Sequence, residues 1–238
     1  LAHGLAFDAA ALARARAASA AKGLPGRAMA EHLALKALPY VNDLVDLFVI
    51  EEPQALAAQG LTLDEVLRVV APEGAVCAKQ GAAWTITRKP RPKEMDEWTH
   101  VRHGPDDNMV STDRLVRFPM GFRWIDGLPK NLNKWASVRG WVLAGGRCFA
   151  LSATEAENLG KPKKEHYLVA RNAYNGLPLW KLNCETTDDG AALFWLNAGP
   201  LAADGERVYA VKKDKPIGVD AATGEIAVTF ATKYAPAR

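Results

Sequence analysis

The sequence predicts two kinds of folded unit in succession, an α/β half-domain followed by antiparallel β-sheet repeated along the chain. Three observations carry that reading. Strand-like and helix-like segments alternate up to residue 87. Residues 168–176 align with residues 216–224 at an offset of 48, and recurrence at such a period marks repeat architectures. Between the two regimes, residues 88–97 are basic and proline-rich, a composition that keeps the backbone extended and short of donors. The predicted organisation is therefore a half-domain over 1–87, a linker over 88–97 and β repeats over 98–238.

In the first region, residues 2–7 form a short, mostly apolar strand, and Asp8 stands at the N-cap of an Ala- and Arg-rich helix over 9–22 that Gly23 ends. A second strand is expected over 27–31. Residues 44–50, Leu-Val-Asp-Leu-Phe-Val-Ile, are apolar enough for a third strand buried on both faces. Thr62 and Glu65 have the spacing of a capping box ahead of a helix that Pro72-Glu73-Gly74 should break. A fourth strand follows over 75–79, and such alternation implies a parallel sheet covered by helices. Residues 80–83 then turn into 84–87, a hairpin-like return.

Residues 38–47, LPYVNDLVDL, and residues 64–74, DEVLRVVAPEG, resemble two consecutive motifs of the class I S-adenosylmethionine-dependent methyltransferases. The resemblance implies a Rossmann-like arrangement over about residues 1–79 and a family cofactor, S-adenosylmethionine. It also suggests Asp8 for the ribose-binding acid and Glu31 for the acid near the adenine. Read from the residues alone, Asp8 is a helix cap and Glu31 a solvated strand end. The family's glycine loop would fall ahead of Leu1, so the chain reads as a piece of a longer protein whose half-domain is incomplete.

Residues 96–108 are dense in reactive side chains. His100 and His103, with Asp106 and Asp107 nearby, have residue types that ligate divalent metals. The competing reading, preferred here, is an opening segment in which Trp98 plugs an apolar gap and Gly104-Pro105 sets a turn, with no metal ligand assigned. Trp98, Arg102, Gly104, Asn108 and Ser111, followed by residues 119–124, PMGFRW, resemble the opening of pyrroloquinoline-quinone-like β-propellers.

The repeat itself is a strand ending in Asn172 or Asp220, a tight turn closed by Gly176 or Gly224, and a further strand. Upstream, residues 145–150 align with 205–210 at an offset of 60, so the earlier unit carries an insertion within 152–166. Trp180 follows the first turn and is expected between neighbouring sheets. Residues 206–224 resemble the quinoprotein propeller repeat, which implies two to three antiparallel blades of an incomplete propeller. That resemblance brings pyrroloquinoline quinone as a second possible cofactor and an extracytoplasmic, periplasmic location. The calcium and catalytic aspartate of active quinoproteins have no counterpart here, so no catalytic residue is assigned. The preferred function is a non-catalytic scaffold or binding module with a degenerate methyltransferase-like lobe. The alternative is an enzyme, either a methyltransferase completed upstream or a quinoprotein oxidoreductase completed downstream.

Composition narrows the classes further. The net charge of +3 comes from 30 basic and 27 acidic residues that are intermixed, which argues against a nucleic-acid partner. No apolar run approaches the ~20 residues of a membrane-spanning helix. Cys77, Cys148 and Cys184 have no metal-ligand spacing and read as buried apolar residues. The seven tryptophans read as core filling, and the insertion over 152–166 or a propeller face is the expected place for a protein partner. Oligomeric state is not readable from the sequence.

Overall fold

A computed structural model describes residues 1–32, 37–116, 124, 138–156, 163–184, 201–213 and 215–232. The chain divides into two compact units, Leu1–Lys89 and Pro90–Arg238. Among the described residues no helix is long and apolar enough to cross a membrane.

In the first unit, strand β1 (Ala2–Ala6) leads through helix α1 (Ala9–Ala21) to β2 (Ala28–His32), and the two strands pair in parallel. The helix is tied down by Ser19 Oγ, which donates to Ala28 O at 2.8 Å, and by Arg16 Nε, which donates to Ala30 O at 3.2 Å. A second sheet has the order β3-β4-β5, built from β3 (Val45–Ile50), β4 (Val70–Gln80) and β5 (Ala83–Arg88). Strands β3 and β4 are parallel, whereas β5 returns antiparallel across Gly81-Ala82. So short a connection excludes the crossover helix that a further parallel strand needs. The described strands thus form two sheets, where the alternation had suggested one parallel sheet.

Two helices join β3 to β4: α2 (Pro53–Ala58), which the sequence reading did not anticipate, and α3 (Leu63–Val69). They cover one face of the sheet, and Leu38, Ile50, Leu56, Leu61, Val66, Val69, Val70 and Val76 form a buried core. Pro72-Glu73-Gly74 does not interrupt β4 but lies within it, where the pairing with β3 slips between Val45 and Leu47. Gly74 is required there for steric reasons. A Cβ on it would lie 2.8 Å from Ala71 O and 2.9 Å from Asp46 O, both main-chain atoms with little room to yield.

The capping box is half made. Thr62 Oγ1 accepts from Glu65 N–H at 3.2 Å, but the Glu65 carboxylate turns away to accept from Leu38 N–H and from Arg68, each at 2.8 Å. Arg68 also donates to Tyr40 O at 2.9 Å and Asn42 Oδ1 at 2.8 Å, clamping the segment before β3 onto α3. The Arg68 hydrogen bond, helped by Leu38 N–H, holds the Glu65 carboxyl down at about 2.

Arg88 and Lys89 belong to the fold and not to a solvated linker. Arg88 ends β5, and the Lys89 ammonium donates to Asp43 Oδ1 at 2.6 Å and to Leu67 O and Val70 O at 2.8 Å each, capping the end of α3. Lys89→Met keeps the apolar stem and removes three charge-assisted hydrogen bonds. It is expected to cost the first unit about 2 kcal/mol, measured by urea unfolding followed through the helix signal in circular dichroism.

The described residues of the second unit form two four-stranded antiparallel sheets, each in sequential order. The first runs β6 (Val138–Ala144), β7 (Arg147–Ala156), β8 (Lys163–Asn172), β9 (Pro178–Asn183). The second runs β10 (Ala202–Ala203), β11 (Arg207–Lys212), β12 (Lys215–Asp220), β13 (Ile226–Thr229). One core is shared between them, with Phe149, Leu151 and Leu168 from the first sheet and Val208, Ile217 and Val219 from the second. The inserted residues extend a hairpin: β7 and β8 keep pairing out to Ala156 and Lys163, and 157–162 lie outside the described residues. Residues 117–123, Trp135 and Trp195 also lie outside them.

Candidate functional site

The two repeated turns are built alike. Asn172 Oδ1 accepts from Tyr174 N–H at 2.8 Å, as Asp220 Oδ1 accepts from Ala222 N–H at 2.9 Å and Thr223 N–H at 2.8 Å. Each turn closes on a glycine in the left-handed region, Gly176 at φ 73° and Gly224 at φ 79°. An indole lies on each glycine. Trp124 covers Gly176 and donates its Nε1–H to Ala173 O at 3.1 Å, while Trp180 covers Gly224 and donates to Ala221 O at 3.0 Å. Because Trp180 sits in β9 and Gly224 follows β12, this contact joins the first sheet to the second. Phe149 extends the same apolar seam, its ring centre 5.9 Å from that of Trp180.

A strap precedes the sheets. Trp98 exchanges main-chain hydrogen bonds with Leu143 of β6 at 3.0 and 2.7 Å, and Ala203 N–H of β10 donates to Thr99 O at 2.8 Å. Residues 98–99 therefore tie together the first strands of both sheets. The strap is held by Asp96. Its Oδ2 accepts from Ser111 Oγ at 2.8 Å and Thr112 N–H at 2.7 Å, and lies 2.7 Å from His103 Nε2; its Oδ1 accepts from Glu97 N–H at 2.8 Å. Partial burial works to raise the Asp96 carboxyl, but these four contacts outweigh it and hold the group well below the usual range. Glu97 in turn pairs with Arg91 and accepts from Gly145 N–H at 2.8 Å, so Arg91 too is structural.

This cluster does not make a nucleophile relay. Ser111 and His103 both address the same carboxylate oxygen of Asp96, whereas activation of the hydroxyl would require it to bond the imidazole. The metal-ligand types noted in the sequence are also committed elsewhere. His103 Nδ1 is 3.1 Å from Asn108 O, His100 Nδ1 is 2.9 Å from Thr99 Oγ1, and Asp107 pairs with Arg102 at 3.0 Å. Among the described residues no group of three or more His, Cys, Asp or Glu side chains could hold a metal ion.

In the first unit, Asp8 caps α1 and its Oδ1 accepts from Ala11 N–H at 2.7 Å. Glu31 is level with Leu5 in the β1–β2 pairing, its side chain largely exposed and 3.7 Å from His3 Nε2. His3 Nδ1 is 2.7 Å from the Tyr40 hydroxyl. The structure thus assembles Glu31, His3 and Tyr40, a grouping the sequence reading missed, and shows no contact joining Asp8 to Glu31. Burial, and then the Glu31 charge, push the Tyr40 phenol up, which makes it a poorer nucleophile near neutrality. For S-adenosylmethionine the fit is poor: the Asp8 carboxylate is engaged by its own helix, and that of Glu31 lies exposed beside His3.

No family model matches the chain, and no curated protein matches it. Among solved structures it is similar to one described as the crystal structure of the [4+2]-cyclase SpnF, at 18% identity with a TM-score of 0.29 over 34% of this chain. The match spans 32% of that structure, about a third of its length. A likeness this slight carries no argument about fold or activity.

Cys148 and Cys184 are poor candidates for a reactive centre. All three are free thiols, and burial pushes Cys184 up to about 11 and Cys148 upward as well, away from the thiolate a nucleophile needs.

Proposed function

We propose that the chain is a non-catalytic scaffold of the pyrroloquinoline-quinone-repeat type, its second unit made of successive propeller blades and its first a degenerate methyltransferase-like lobe. One observation supports it above the others: an indole docked on a glycine turn at Trp124–Gly176 and again at Trp180–Gly224, the second seating one four-stranded sheet on the next. Docking of that kind serves stacking, and it occupies the glycine turns of the repeat with packing rather than chemistry. The tight Asx turns, the Asp96 strap and the raised thiols likewise fit a structural role. The extended β7–β8 hairpin is the proposed place for a protein partner.

Isothermal titration of the whole chain with S-adenosylmethionine, and separately with pyrroloquinoline quinone plus calcium, tests the reading. No saturable heat is expected from either at about 100 μM ligand, a level that would saturate a site with a dissociation constant of about 10 μM or tighter. Saturable binding of the first would replace the scaffold with a methyltransferase, and of the second with a quinoprotein.

A further inference from the structure

Among the described residues strand β5 is the edge of its sheet, and each of its six residues is exposed. It pairs with β4 over six consecutive positions without a bulge, so the edge is regular. Natural edge strands are blunted by proline, by inward charge or by a bulge. Ala83-Trp84-Thr85-Ile86-Thr87-Arg88 has none of these, and only Arg88 at its end is charged.

The outward hydrogen-bonding groups can be assigned. Lys89 N–H donates to Gly74 O, toward β4. Because main-chain groups alternate in direction along a strand, Thr87, Thr85 and Ala83 also address β4, and Trp84, Ile86 and Arg88 present N–H and C=O outward. The same three side chains share the face of the sheet that α2 and α3 leave uncovered. On that face the register sets Ile86 beside Cys77 and Val49, with Leu47 two residues before Val49. Ile86 is 67% exposed, Leu47 57%, Val49 49% and Trp84 45%.

We propose that β5 pairs antiparallel with β5 of a second copy of this chain, about a two-fold axis at Ile86. The register follows from the strand itself. Centring on Ile86 brings all three outward-bonding residues into bonded pairs, Ile86 with Ile86 and Trp84 with Arg88 across the junction. Centring on Thr85 would leave Arg88 without a partner. On the bare face the chosen register sets an apolar pair at the axis and a guanidinium beside an indole on either side, while Thr85 meets Thr87 on the other face. These are favourable cross-strand pairs. The strand is thus complementary to itself, which selects a second copy over an unrelated partner. The result is a continuous six-stranded sheet. An edge of this length buries less than the ~1,200 Å² of a strong complex, so association in the micromolar range is expected.

Sedimentation equilibrium of the full chain, over about 1 to 300 μM, reads the outcome. The mass should rise from 25.7 kDa toward twice that value with concentration. Ile86→Lys opposes two charges at the axis while keeping the main-chain donors, and should weaken association by about tenfold or more. Ile86→Pro removes an N–H that points away from β4 and should do the same. Circular dichroism of both variants should match the parent. A parent that stays at 25.7 kDa throughout overturns the proposal. So does a dimer that survives either substitution.

Discussion

Gly224→Ala should lower the stability of the second unit by about 2–4 kcal/mol, one of the largest effects of any single methyl group in this chain. Two costs combine. At φ 79° a side chain meets its own carbonyl, a penalty of roughly 1–2 kcal/mol. The new Cβ would also stand 2.7 Å from Cδ2 and 2.8 Å from Cγ of Trp180, so the indole must lift from the turn and lose its bond to Ala221 O. Gly205→Ala separates the two costs within the same unit. Its φ of 89° carries the backbone penalty, but its nearest neighbours are Gly145 Cα and N at 3.9 Å, ordinary contact distances. Chemical denaturation of the two variants should differ by about 1–2 kcal/mol, and equal losses would mean that the indole contributes nothing to the turn. Gly176→Ala, with the Trp124 ring 2.5 Å away, should behave like Gly224→Ala.

Those turns were legible in the sequence because everything that builds them is local. An Asn or Asp followed four residues later by Gly specifies its own hydrogen bonds, and the second copy at an offset of 48 repeats the instruction. The Asp8 cap and the β3 strand were readable for the same reason, but β3 is not buried on both faces as its apolar run suggested, since Leu47 and Val49 are exposed. What the sequence hid depends on distant partners. Pro72-Glu73-Gly74 looks like a break, yet Asp46 O approaches the bare Gly74 and the strand continues through the irregularity. Lys89 and Arg91 look solvated in a basic run, but one caps α3 and the other pairs with Glu97. Hydropathy gave no sign of α2, whose six residues are held by Leu56 in the core. The Glu31–His3–Tyr40 grouping joins residues from separate elements and has no periodicity to betray it.

Asp96 is the extreme case of such hidden dependence, and Asp96→Asn should destabilise the second unit by about 2–3 kcal/mol near neutral pH. The amide keeps the shape but loses the charge, and its NH2 would face groups that are themselves donors: Ser111 Oγ–H, Thr112 N–H or Glu97 N–H. The strap should loosen first, because beyond Asp96 it is held to the sheets by a few main-chain bonds to Leu143 and Ala203 and by Glu97, which accepts from Gly145 N–H. A pH dependence distinguishes this from a packing defect. The folded Asp96 carboxyl lies well below its ordinary value of 3.8, so its stabilisation is complete above that value and declines as pH falls through it toward the depressed one. The gap between parent and variant should therefore shrink by about 1 kcal/mol between about pH 7 and pH 3. Hydrogen exchange at Leu143 and Ala203 gives a site-resolved readout, with faster exchange expected in the variant. A gap that stays constant over that range would mean that the carboxylate's charge does not hold the strap, which would then rest on its main-chain bonds to Leu143 and Ala203 and on Glu97.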